Sequence, residues 1–151
     1  MVKIYIGSDH GGFALKERLK VALKNDVYDV TDMGPAAPVP EDDYPDIAAA
    51  VARKVAENPL EARGILICRS GFGVDIVANK FDGIRSALAA SPDHAYQGRH
   101  DDDVNVLSLA GDFTDDATAI KIMKTFLTTP FAREERYARR IGKIAEIEKT
   151  N

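Results

Sequence analysis

Residues 64–68 read Gly-Ile-Leu-Ile-Cys, a run without a single charged or strongly polar side chain. A strand with one wet face alternates apolar and polar residues. An unbroken run of this length suits a strand covered on both faces, as in a parallel sheet held between helical layers. The flanking sequence supplies those layers. Val2–Ile6 is an apolar strand stopped by Gly7, and Leu15, Leu19, Ala22 and Leu23 share one face of a helix over about 12–25. Val27–Met33 alternates more weakly and predicts a second strand. Ile47, Ala48, Val51 and Val55 line a second helix, with Pro45 in its first turn and Asp43 at its N-cap. A Gly-rich turn opens a helix over 71–80, and Ile84–Ala90 and Val104–Ala110 read as strands on either side of a helix at about 92–99. Ile120, Met123, Phe126 and Leu127 mark a further helix broken by Pro130, and a last helix carries Tyr137, Ile141, Ile144 and Ile147.

This alternation predicts an α/β fold with a mostly parallel sheet, helices on both faces and right-handed crossovers. In such folds ligands sit beyond the carboxyl ends of the strands. The loops to inspect are therefore 7–12, 68–73, 90–103 and 110–115.

Composition narrows the function classes. The chain has 151 residues, 45% hydrophobic and 29% charged, enough for one core and one domain over 1–151. The net charge is −4 with Lys and Arg scattered along the chain, so no clustered basic face predicts a nucleic-acid partner. The apolar N-terminal run is too short for a signal-peptide core or a membrane span, and no later segment is long enough either. The single cysteine excludes an internal disulfide framework and fits a reducing compartment. The expectation is a soluble cytoplasmic protein without a membrane partner. Gly34–Pro45, rich in proline, reads as an ordered loop and is too short for a domain linker.

Four constellations carry chemistry. Gly7-Ser8-Asp9-His10-Gly11-Gly12 puts a carboxylate and an imidazole where a strand ends and a helix begins, a place that attracts anions. An Asp cap beside a surface His explains it equally well. In Cys68-Arg69-Ser70-Gly71-Phe72-Gly73, the glycines let the backbone approach a ligand, and Cys68 at a strand end facing a helix start is placed to favour the thiolate. A buried, inert cysteine is the commoner reading of such a residue. The glycine spacing does not match a dinucleotide fingerprint. Arg99-His100-Asp101-Asp102-Asp103-Val104-Asn105 offers oxygen ligands for a divalent metal, but reads more simply as a solvated loop running into a strand. Arg136 and Arg140, four apart, share a helix face and can grip one phosphate, or pair locally with Glu134 and Glu135.

Taken in order, these motifs, with Asp43-Tyr44-Pro45, Ala78-Asn79-Lys80, Gly83-Ile84-Arg85 and Asn105-Val106-Leu107, resemble the ribose-5-phosphate isomerase B family, which includes the subunits of galactose-6-phosphate isomerase. The resemblance runs nearly end to end. It implies a three-layer αβα sandwich with a five-stranded parallel sheet, flavodoxin- or Rossmann-like. It also implies a homodimer or tetramer whose active sites draw on both subunits. The implied activity is aldose–ketose isomerisation of a sugar phosphate, without metal or organic cofactor, by ring opening and a cis-enediolate proton transfer.

On that resemblance Cys68 is the base, with Asp75 a distant second, because Val74 stands where members lacking the Cys carry a Glu. Ser70 keeps the hydroxyl of a usual Thr, and the N–H groups of Ser70, Gly71, Phe72, Gly73 and Val74 face the enediolate. Asp9 holds sugar hydroxyls, Tyr44 lines the pocket, and His10, Arg136 and Arg140 bind phosphate. Three positions depart from the family. Asp101 stands in place of a ring-opening His, with His100 one residue early. Asp112 replaces a phosphate-binding Arg, and Arg69 replaces a Gly and either restores positive charge or selects another substrate. Ribose 5-phosphate to ribulose 5-phosphate is the leading expectation. A hexose 6-phosphate, an unphosphorylated aldose, or sugar-phosphate binding without catalysis are the alternatives.

Overall fold

The computed structural model describes residues 2–26 and 28–151. Its strands are β1 (Lys3–Ser8), β2 (Asp29–Asp32), β3 (Ala62–Cys68), β4 (Ser86–Leu88) and β5 (Val106–Ala110). The helices are α1 (Phe13–Asn25), α2 (Tyr44–Ala56), α3 (Phe72–Ala78), α4 (Pro92–Asp102), α5 (Asp116–Thr128) and α6 (Glu135–Glu148). The strands pair only in parallel, in the order β2-β1-β3-β5-β4. The flavodoxin order, 2-1-3-4-5, is kept for three strands, and the last two exchange places.

The pattern of burial follows the crossovers. Ile4, Ile6, Ile65, Ile67, Leu107 and Leu109 pack against α1, α4 and α5 on one face of the sheet. Leu66, Cys68 and Val106 pack against α2 and α3 on the other. Chain segments running toward β2 or back from β4 use the first face, and those running toward β3 and β4 use the second. A constant hand of crossover requires this division. β3, at the centre, is buried along nearly its whole length, as its apolar run predicts. α6 lies outside the two layers, packs on α4 and buries only Tyr137.

The observed elements correct the sequence expectations at several boundaries. The second strand is shorter than predicted, and its predicted start, Val27, lies outside the described residues. β4 spans Ser86–Leu88 and not Ile84–Ala90, because Arg85 N–H and the Gly83 carbonyl are taken by the Asn105 side chain instead of a strand ladder. α4 runs to Asp102, so His100, Asp101 and Asp102 are helical and not a loop. The helix stops at Asp103, which is left-handed at φ 46° and is held by Arg85 and Arg99. Asp43 occupies the N-cap position of α2 but its side chain makes no capping bond.

β1 and β3 are neighbours whose following helices leave to opposite faces. Their carboxyl ends therefore open a crevice, the place where ligands bind in open α/β sheets.

Candidate active site

Three chain segments meet at that crevice, after β1, β3 and β5, and their closeness depends on glycine. A Cβ on Gly11 would lie 2.1 Å from Arg69 Cγ, one on Gly12 2.6 Å from the Ile67 carbonyl oxygen, and one on Gly111 3.2 Å from both the Cys68 and the Gly11 carbonyl oxygens. The Gly111 N–H donates to the Cys68 carbonyl at 2.8 Å, and the Asp112 N–H to the Arg69 carbonyl at 3.0 Å. Asp9 is buried and its Oδ1 accepts the Gly12 N–H at 3.0 Å. The carboxylate thus serves the turn before α1 and does not cap the helix, whose N-cap is Gly12 without a side-chain capping bond, and it keeps its second oxygen uncommitted among the described residues.

Cys68 ends β3 on the α2–α3 face and is 4% exposed. Gly71, at φ 78°, turns its N–H back onto Cys68 Sγ at 3.1 Å. Only glycine suits this turn: the φ is left-handed, and a Cβ would come within 2.5 Å of Leu88 Cδ1 and 3.0 Å of the Leu109 backbone. A backbone donor aimed at sulfur binds a thiolate more strongly than a thiol. The Phe72 N–H approaches Ser70 Oγ at 3.4 Å, and the N–H groups of Gly73 and Val74 have no acceptor among the described residues. The Val74 side chain is fully buried in the core, so only its backbone faces the loop. Tyr44 lies over Gly73, where a Cβ would stand 2.7 Å from its ring. An apolar cleft of 340 Å³ adjoins Ser70, walled by exposed Phe72 and Phe113.

The two unusual charges at this edge belong together. Arg69 Nε donates to Asp112 Oδ2 at 2.9 Å across the end of β3 and β5. The hydrogen bond to Asp112 holds the Arg69 guanidinium firmly charged, and each charge offsets the other. A residue the sequence reading missed completes this half of the crevice. Asp42 Oδ1 accepts both the His10 backbone N–H at 2.9 Å and the His10 ring Nδ1 at 2.6 Å. Asp9, His10 and Asp42 place their ligating atoms within 4.8 Å of one another, the one such group among the described residues. The metal-ligand alternative for 100–103, which the sequence made the weaker reading, finds no converging oxygen ligands among the described residues. Asp101 pairs with His100, whereas Asp103 turns to Arg85 and Arg99.

A second group of predicted residues forms elsewhere. His100 Nδ1 and Asp101 Oδ1 are 2.6 Å apart, and the His100 ring stacks on Tyr96 and meets the edge of Tyr137. The hydrogen bond from His100 holds the Asp101 carboxyl below the usual carboxylate range against some desolvation, and the Tyr137 hydroxyl adds to it. Arg136 and Arg140 flank the Tyr137 ring at 4.6 Å and 6.0 Å. Arg136 also pairs with Glu134, and Arg139 with Glu135, as the local-pairing reading supposes. No hydrogen bond, ion pair or ring contact among the described residues joins this group to the Cys68 crevice. The reason is topological. α4 starts at the carboxyl end of β4 and runs antiparallel to the strands, so its last turn delivers His100 and Asp101 to the opposite edge of the sheet, beside Arg85 and the start of β5.

The profile of the ribose/galactose isomerase family matches residues 4–144. A probable ribose-5-phosphate isomerase B of Mycoplasma genitalium is 43% identical over 146 residues, covering 97% of this chain and 95% of that one. The ribose-5-phosphate isomerase B of Mycolicibacterium paratuberculosis is 35% identical over 150 residues, covering 99% and 94%. Among solved structures, ribose-5-phosphate isomerase B of Mycoplasma genitalium with bound ribulose-5-phosphate superposes with a TM-score of 0.96 at 42% identity, over 99% of this chain and 98% of that one. The Clostridium thermocellum ribose-5-phosphate isomerase B superposes with a TM-score of 0.93 at 40% identity, over 99% of both chains.

Proposed function

The chain belongs to the ribose/galactose isomerase family, and from that premise we propose that it interconverts ribose 5-phosphate and ribulose 5-phosphate with Cys68 as the proton-transferring base. The observation that carries this reading is the Gly71 N–H aimed at Cys68 Sγ at 3.1 Å, at the strand edge that also presents Asp9 and His10. The relative whose structure holds ribulose-5-phosphate supports the choice of sugar.

The chemistry follows from the groups present. In the open-chain aldose, the Cys68 thiolate takes the proton from C2. The electron pair moves to the C1 carbonyl and gives a cis-enediolate, and the proton then returns to C1 as O2 becomes the carbonyl. The hydroxyl proton passes from O2 to O1. The charge that develops on these oxygens meets the Ser70 hydroxyl and the N–H groups of Gly73 and Val74, donors already in place before reaction. Asp9 holds sugar hydroxyls, and Tyr44 over Gly73 walls the pocket.

The remaining roles call for a second copy. His100, oriented by Asp101, is the group for opening the ring, and Arg136 and Arg140 are the phosphate clamp, but they sit at the far edge of their own chain. A homodimer that sets this edge of one chain on the Cys68 crevice of the other completes the site. Phe72, Ile76 and Phe113 beside the crevice, and Ile144 and Ile147 on α6, are all exposed and supply apolar surface for such a contact. The site residues then act in the cytoplasm on a soluble substrate, and no described helix is long and apolar enough to cross a membrane.

The test is Cys68→Ser, which keeps the volume and removes the thiolate. Turnover of ribose 5-phosphate should fall by about a thousandfold or more, with binding of ribulose 5-phosphate retained. Turnover within a few-fold of the wild type would remove Cys68 as the base.

A further inference from the structure

Asp42 lies in the segment between β2 and α2, 32 residues from His10 in the chain. Its placement is built and does not depend on chance exposure. Lys16, wholly buried in α1, gives its three ammonium protons to Asp32 Oδ1 and Oδ2, both at 2.9 Å, and to the Pro35 carbonyl at 2.7 Å. Gly34 N–H donates to Asp32 at 2.9 Å, and the Gly34 carbonyl accepts from Ser8 N–H at 3.3 Å. These bonds fasten the start of the segment to the carboxyl end of β1. At its other end Tyr44 is seated on Gly73. Asp42, whose side chain keeps 16% exposure, is thereby carried onto His10.

One carboxylate oxygen receives two N–H groups of the same residue. The backbone bond fixes where His10 stands, and the ring bond fixes how it is turned. With the proton on Nδ1 committed to Asp42, the free corner of the ring is Nε2. A histidine without such a partner prefers the other tautomer and rotates about its side-chain bonds. An orienting carboxylate behind an imidazole removes both freedoms before a ligand arrives.

We infer that Asp42 is a positioning residue that accepts the Nδ1–H of His10, fixes the orientation of the ring and so aims Nε2 at the phosphate of the substrate, to which the ring donates Nε2–H as the imidazolium. This inference rests on the isomerase reading for the identity of the ligand. Asp42 touches no substrate itself. It acts through His10, so its loss should affect binding and spare the chemical step at Cys68.

The experiment compares wild type, Asp42→Ala and Asp42→Asn. Long-range ¹H–¹⁵N spectra of the free protein report the His10 tautomer, titration with inorganic phosphate reports anion affinity, and kinetics report KM and kcat. The expected wild-type spectrum is that of an Nδ1-protonated ring in the free protein and of a ring protonated on both nitrogens when phosphate is bound. Asp42→Ala should release it to the Nε2-protonated form or a mixture, weaken phosphate by about tenfold and raise KM for ribose 5-phosphate by about as much, with kcat within twofold. Asp42→Asn keeps an acceptor oxygen in place and should retain most of both. An Asp42→Ala spectrum like the wild type overturns the inference, and so does a changed spectrum with phosphate affinity unchanged. A wild-type protein inert toward sugar phosphates would overturn the isomerase reading instead, while the spectrum and the phosphate titration still decide on Asp42.

Discussion

At the scale of single residues, the departures from the family pattern prove to be related. Arg69 and Asp112 lie 43 positions apart and look like two independent anomalies in a sequence, one adding charge and one opposing phosphate. In the structure they form one ion pair at 2.9 Å, both partners well exposed, so neither acts alone on a ligand. Asp112→Ala should free the Arg69 guanidinium and lower KM for ribose 5-phosphate by about two- to fivefold, and Arg69→Ala should raise it, with kcat little changed in either. Steady-state kinetics at low and high salt check this, because salt must shrink both effects. If the two substitutions shift KM in the same direction, the pair is not tuning charge at the mouth. Local sequence was enough to single out Asp9, His10, Cys68 and the glycines, whose spacing is short. It did not reveal Asp42 or the pairing of Arg69 with Asp112, since both depend on contacts between segments distant in the chain.

At the scale of elements, the segment between β2 and α2 matters more than its proline content suggests. It is held by Lys16, a charge that α1 buries beside Leu15 and Leu19. Asp32 explains it. Burial pushes the Asp32 carboxyl upward, but hydrogen bonds from Lys16, Lys20 and the Gly34 N–H outweigh this and hold it below its ordinary value. A carboxyl depressed in the folded state stabilises fully above its unfolded pKa of about 4 and loses that contribution as the pH falls through the folded value. Lys16→Met should therefore destabilise by about 2 kcal/mol at neutral pH, less than the roughly 3–5 kcal/mol of a fully buried pair because Asp32 keeps some exposure. Denaturant unfolding from pH 7 to pH 3 checks it: the gap between variant and wild type should narrow below pH about 4. A gap that stays constant would show that lost packing, and not the ion pair, sets the cost. The last turn of α4 makes the opposite point. His-Asp-Asp-Asp reads as loop by its polarity, yet the helix continues to Asp102 because buried Arg99 binds Asp103 and the Val104 carbonyl, closing the end from within.

At the scale of the whole molecule, the alternation of apolar runs made the layered parallel sheet legible, and with it the crevice at the ends of β1 and β3. The exchange of the last two strands was not legible, because strand order is set by which edge each crossover reaches, and no local pattern encodes that. Nor did the linear order of motifs reveal that Cys68 and the group of His100, Arg136 and Arg140 lie at opposite edges of one chain. The proposed isomerase site is therefore one made by two chains. Its most direct test mixes two inactive variants, Cys68→Ala and the double variant Arg136→Ala/Arg140→Ala, after separate purification and with time for subunit exchange. If the site is shared, half of the dimers formed will be mixed and each will hold one intact site, so activity on ribose 5-phosphate should rise from near zero to about a quarter of the wild-type value. If the mixture forms mixed dimers, seen by native mass spectrometry, and still shows no activity, the shared site is contradicted.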